Sequence, residues 1–174
     1  MKTTLTTVIT VFLSAFMLAA CDVEVTKDDD ASEALAVAAA EIAAVITWRE
    51  VWDSAEVDKL DAIAHSDYTR TAPDLNANSL DELKAFILQV HATYPDFSIT
   101  NDGMAAGGDG VFMQWTVTGS DTARGEDATG NSMRVTGISR YRFSDGKIAS
   151  ELVIFDTGLA MTQFETSELP HTAE

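Results

Sequence analysis

At Pro95 the apolar residues of this chain stop recurring at helical spacing and begin to alternate. Before the proline, Leu80, Leu83, Ile87, Val90 and Tyr94 lie three or four apart, the period of a helix with one buried face. After it, Val111, Met113, Trp115 and Val117 alternate with Phe112, Gln114, Thr116 and Thr118, so one face of a strand carries the larger apolar set. Helices first and strands second predict an α+β domain, with helices segregated on one face of a curved antiparallel sheet. Such a sheet roofed by helices makes a cone with an open mouth, a natural pocket for a small molecule.

Local signals fill in the elements. An alanine-rich helical pattern covers residues 32–54, with Leu35, Ile42, Val45 and Trp52 near one face and Ile46 and Trp48 widening it. A short helix is predicted over Val57–Ala64 and a loop over Ala72–Asn76. Ser79-Leu80-Asp81-Glu82 matches a capping box at the start of the helix that stops before Pro95. Strands are predicted at Phe97–Thr100, Val111–Thr118, Met133–Phe143 and Ile148–Asp156. The last two are joined by Ser144-Asp145-Gly146-Lys147, an Asp-Gly hairpin turn. A short helix is expected around Leu159–Phe164. The domain is expected to span 32–165, with 166–174 as a disordered tail.

The N-terminus belongs to a different argument. Met1-Lys2 is followed by an uncharged, largely apolar run from Leu5 to Ala20. A transmembrane helix needs about 20 apolar residues, whereas this length suits the core of a signal peptide. The run closes on Leu18-Ala19-Ala20-Cys21, which resembles the lipobox of bacterial lipoproteins. That resemblance implies cleavage after residue 20, acyl chains on Cys21, and attachment to a membrane facing the periplasm or exterior. Two acyl chains anchor stably where one is marginal. Asp22 resembles the signal that retains lipoproteins in the inner membrane of enteric-type bacteria. Residues 21–31 then read as an acidic, solvated tether.

Charge excludes some partners. The chain carries 11 basic and 28 acidic side chains, formally −17, and removing Lys2 with the signal deepens the excess. Such a charge argues against nucleic acid and against an electrostatic grip on anionic lipid. Cys21 is the only cysteine, and His65, His91 and His171 are scattered without ligand spacing, so neither a structural disulfide nor a metal cluster is expected.

Several segments together resemble the SnoaL-like domains: Trp48-Arg49-Glu50-Val51-Trp52 followed by Asp58-Lys59-Leu60 and Asp67-Tyr68; Tyr94-Pro95-Asp96-Phe97; Thr118-Gly119; Arg142 through Ile148; and Glu151 through Phe155-Asp156 to Leu159 and Gln163. The resemblance spans roughly residues 40–164. It implies the nuclear-transport-factor-2-like fold, a cone of one bent sheet and three helices, often a homodimer through the sheet. It also implies a small hydrophobic ligand and, for the polyketide and ester cyclases of the family, ring closure by intramolecular aldol condensation without metal or cofactor. In those cyclases an Asp late in the last strand is the acid/base, and Asp156 sits at the matching position. The chain departs from the cyclases in having Thr118-Gly119-Ser120-Asp121 where a His often follows Thr-Gly, and Thr71 where many relatives carry a His.

Two readings of the candidate residues stand side by side. Asp156 falls in phase with Ile148, Ser150, Leu152 and Ile154; on an apolar face it would lose hydration, gain proton affinity and serve as acid/base. Alternatively it caps the turn or helix that follows. Asp121 is either a second carboxylate or a solvated loop acid. Trp48, Trp52, Tyr68, Phe86 and Trp115 either line the cone or simply fill the core. Arg140 and Arg142 are expected on the exposed sheet face, and His65 and His91 on helices. The protein is accordingly either a cofactor-independent enzyme or a non-catalytic envelope protein that binds a ligand or a partner.

Overall fold

The computed structural model describes residues 26–122 and 128–163. Helix α1 (Thr26–Ser54) opens the domain, and a 3-10 turn at Val57–Lys59 leads into the single turn of α2 (Leu60–Ile63). Strand β1 (Ala64–Thr71) precedes helix α3 (Leu80–Thr93). Strands β2 (Ser98–Gly107), β3 (Gly110–Ser120), β4 (Ser132–Ser144) and β5 (Lys147–Phe155) follow, then helix α4 (Thr157–Gln163). The strands form one curved, unclosed sheet in the order β1-β5-β4-β3-β2. The α+β class and the cone read from the sequence are what the structure has.

The strongest local signals produce their elements. Ser79 caps α3, its Oγ accepting the Glu82 N–H at 3.2 Å. Glu82 reaches back to the Asn78 N–H at 2.8 Å, one residue earlier than a capping box requires. Asp145 and Gly146 both have positive φ, 51° and 73°, the conformation of a two-residue hairpin turn. Leu83, Phe86, Ile87 and Val90 of α3 are buried against the concave face of the sheet.

Four features differ from the sequence reading. Helix α1 begins at Thr26, inside the stretch expected as tether, because the alanine-rich run that follows favours helix and extends it. Residues 30–40 are largely solvent-facing, with Leu35 72 % exposed, whereas Val45, Trp48, Val51 and Trp52 are core. The stretch Asp30–Ser54 is long and apolar enough to cross a membrane, but its second half is used inside this domain. Strand β1 was not expected; His65 lies in it rather than on a helix, and it pairs parallel to β5, so the sheet is not wholly antiparallel. Strand β2 runs ten residues and not four.

The fourth difference decides the site. Pairing of β4 with β5 shifts by one between Arg142↔Ser150 and Phe143↔Ile148, leaving Ala149 as a bulge. A one-residue slip sends every later side chain to the other face. Past the bulge, Glu151, Val153 and Phe155 point inward, while Ile154 is 63 % exposed and Asp156 is on the solvent side.

Candidate functional site

Between α1, α3 and the concave sheet lies a cavity of about 110 Å³, far above the roughly 10–15 Å³ that one water needs. Its walls are aromatic. Trp52 of α1 meets Phe86 of α3 edge-on at 5.9 Å and Phe97 at 6.2 Å; Trp115 of β3 meets Phe155 of β5 at 6.2 Å. Val135, Val153 and Ala160 add aliphatic surface, the last contributed by α4. Trp115 lies directly opposite Gly137 in the ladder. A Cβ there would stand 2.3 Å from the indole, so only glycine lets the ring lie flat across β4.

Helix α4 is fastened at both ends. Asp156 caps it by accepting the Leu159 N–H at 2.9 Å. At the far end, the Gln163 side chain accepts the Arg134 N–H at 2.6 Å and donates to the Arg134 carbonyl at 3.0 Å.

One part of the cavity wall is polar and deeply buried. Glu151, on β5, is 4 % exposed. Its Oε2 accepts from the Tyr68 hydroxyl at 3.1 Å and its Oε1 from the Ser139 hydroxyl at 3.0 Å. Trp115 Nε1 donates to Ser139 Oγ at 3.0 Å. An indole can only donate, so the chain runs one way, from Trp115 through Ser139 to Glu151. Arg70, 5 % exposed, lies next to this carboxylate. Its Nη1 donates to Asp74 at 2.8 Å and to the Leu75 carbonyl at 2.8 Å, and its Nη2 donates to Asp74 at 3.2 Å. Its Nε stands 3.4 Å from Glu151 Oε2, an ion contact without hydrogen-bond geometry. The 72–76 loop holds Asp74 in place because Arg70 and Ala77 exchange backbone hydrogen bonds.

Burial raises the proton affinity of Glu151 above that of an ordinary carboxylate, and Arg70 and the hydroxyls of Ser139, Tyr68 and Tyr141 offset this only in part. Burial also pushes the Tyr68 and Tyr141 phenols well up, and Glu151 adds to both. For Arg70, burial opposes the charge, but Asp74 and Glu151 outweigh it and hold the guanidinium more firmly protonated.

A pH prediction follows from Glu151. The folded state favours its neutral form, so its contribution to stability is full below the unfolded carboxylate range, about pH 4.3. That contribution is lost as pH rises through the higher folded value. Thermal unfolding of wild type and Glu151→Gln across this range is expected to show wild type losing ground to the variant as pH rises. A difference that is flat with pH would contradict the burial argument.

The sequence matches the SnoaL-like domain over residues 45–151. The chain belongs to this family. Solved structures of the same fold include TsrD from Streptomyces laurentii, with 21 % identity and TM-score 0.64 over 72 % of this chain and 95 % of that one. A protein from Jannaschia sp. CCS1 assigned as a SnoaL-like polyketide cyclase has 14 % identity and TM-score 0.65 over 76 % and 96 %. IdmH from Streptomyces antibioticus, assigned as a polyketide cyclase, has 17 % identity and TM-score 0.62 over 72 % and 99 %. The chain has no match among curated proteins.

Within this SnoaL-like domain, Trp52, Phe86 and Trp115 line the cavity. Tyr68 reaches it through Glu151. Trp48 does not: it is wholly buried behind the site, its ring 5.1 Å from Tyr68 and 6.1 Å from Tyr141. Asp156 does not enter the cavity either. It is exposed and caps α4, because the Ala149 bulge reverses the phase that seemed to align it with Ile148. Asp121 is no solvated loop acid: it is fully buried, outside the cavity, and accepts from the Thr129 N–H and hydroxyl at 3.1 and 3.0 Å to organise the turn before β4. Arg140 and Arg142 lie outside the cavity lining, and His91 Nε2 is 2.8 Å from the Trp52 carbonyl. Cys21 lies outside the described residues. The buried polar cluster that the sequence reading passed over is Glu151 with Arg70, Asp74 and Ser139. Its signal was a glutamate set directly before the apolar run Leu152–Phe155, where a fully paired strand buries side chains. Among the described residues no group of His, Cys, Asp and Glu is placed to hold a metal ion.

Proposed function

We propose that this SnoaL-like domain binds one small, largely apolar molecule in its cavity, with the polar wall at Glu151 orienting it. The observation that carries the reading is the combination of aromatic walls and a single buried, hydrogen-bonded carboxylate with its arginine. Ligand sites have this make-up: mostly apolar, with few polar groups that orient. A second reading, acid–base chemistry on the bound molecule, is favoured by the raised proton affinity of Glu151 at the cavity wall. Under that reading Glu151, and not Asp156, exchanges the proton. Screening a panel of small apolar compounds by thermal shift tests both. Compounds that stabilise wild type are expected to stabilise Asp156→Asn equally and Glu151→Gln differently. Loss of binding in Asp156→Asn with full binding in Glu151→Gln would reverse the assignment.

The domain is held at a bacterial membrane by lipid on Cys21. The support is the apolar run that closes on Leu18-Ala19-Ala20-Cys21. Cys21→Ser is expected to move the protein from the membrane to the soluble envelope fraction and to abolish incorporation of labelled palmitate. Unchanged membrane association would refute the anchor. A homodimer through the sheet would bury Phe112, Ile138 and Ile154, which are exposed on its outer face; native mass spectra showing only the single-chain mass would exclude it.

A further inference from the structure

We propose that the molecule this cavity takes is an organic cation, an alkylated amine or ammonium group whose charge lies against Glu151 and the aromatic walls. The inference rests on the small-molecule reading of the cavity and adds the class of its ligand.

The charges lining the cavity do not balance. Among the described residues, the lining contains one cation, Arg70, and two carboxylates, Asp74 and Glu151. Both terminal nitrogens of Arg70 are committed to Asp74, and one of them also to the Leu75 carbonyl. Only its Nε faces Glu151, at a distance and angle short of a hydrogen bond. Glu151 otherwise meets only neutral hydroxyls, those of Tyr68, Ser139 and Tyr141. A buried carboxylate in this position either holds a proton or pairs with a positive charge. An anionic ligand would worsen the imbalance, setting a third negative charge beside the one guanidinium.

The walls suit the same charge. Aromatic faces attract cations within about 6 Å, more strongly where water is excluded. The rings around the site already do this once: the Arg70 guanidinium carbon is 5.7 Å from the ring centres of both Trp52 and Phe86. Phe97, Trp115 and Phe155 supply further ring surface in the same cavity. A bare inorganic cation would need several oxygen ligands, and the lining is mostly hydrocarbon. Alkyl groups on nitrogen match that lining and leave little hydration to strip. Binding a cation also favours the ionised form of Glu151, so the ligand displaces a proton wherever that group is still protonated.

Isothermal titration of the purified protein with choline and its neutral isostere 3,3-dimethylbutan-1-ol tests this, in about 0.15 M salt to screen the chain's general acidity. At pH 8 choline is expected to bind about tenfold tighter than the alcohol. The ratio should fall toward one as pH is lowered, with proton release seen as heat that varies with the buffer. Glu151→Gln is expected to abolish the preference; if that variant does not fold, the wild-type pH series decides alone. Equal or tighter binding of the alcohol at every pH would overturn the cation and leave the cavity as a site for neutral molecules. A choline preference untouched by pH or by Glu151→Gln would overturn the role of Glu151. Binding of neither probe would count against both the cation and the small-molecule reading.

Discussion

Arg70→Met is expected to destabilise the folded domain by about 3–5 kcal/mol near neutral pH, as breaking one side of a buried ion cluster does. The guanidinium is nearly inaccessible and joins two carboxylates and a backbone carbonyl. Methionine keeps an unbranched stem but not the guanidinium, whose carbon lies 5.7 Å from the Trp52 and Phe86 ring centres, so the loss reports the charge, its hydrogen bonds and those ring contacts. What remains is Glu151 buried with hydroxyls alone and Asp74 without its bidentate partner. Glu151, whose burial already favours the protonated form, can take up a proton in acid, so the deficit should shrink as pH falls. Denaturant unfolding of wild type and variant at two pH values measures this. Adding Glu151→Gln to Arg70→Met should restore part of the loss. A loss under about 1 kcal/mol at neutral pH, typical of an exposed pair, would show that the cluster does not hold the site together.

Trp48→Ala is expected to cost a similar amount, about 3–5 kcal/mol, for a different reason. Trp48 is wholly buried and its Nε1 has no hydrogen-bond partner, so the variant sacrifices packing alone. Its ring supports Tyr68 and Tyr141, the two buried phenols beside Glu151. The resulting void lies behind the cavity, and Tyr68 loses the surface that aims its hydroxyl at Glu151. Stability and compound binding should therefore fall together. Retained binding with reduced stability would mean that Tyr68 is held by the rest of the core without Trp48.

Much of this architecture is legible in the sequence where one period dominates. The spacing from Leu80 to Tyr94, capped by Ser79, became α3; the alternation from Val111 to Val117 became β3; Asp145-Gly146 became the turn. Strand β1 was hidden because Ala64–Thr71 buries only Ala64, Tyr68 and Arg70, four and two residues apart, and its partner β5 lies far along the chain. The site was hidden by a single residue. Ala149 has nothing in its side chain that announces a bulge, yet it exchanges the inward and outward positions of the rest of β5. Desolvation of a carboxylate was the right expectation; it applies to Glu151, while Asp156 takes the capping role that had been the alternative. Arg70 and Asp74 carried no signal because their pairing depends on how the 72–76 loop folds back.

Native mass spectrometry of the purified protein tests the central claim, that the cavity is a binding site. The expected spectrum contains the chain with one small molecule bound, either retained from the cell or taken up from a panel of small apolar and cationic compounds, and it reverts to the bare mass when the cavity is blocked by Val153→Trp. A bare chain under every condition, or an adduct that Val153→Trp leaves unchanged, would contradict it.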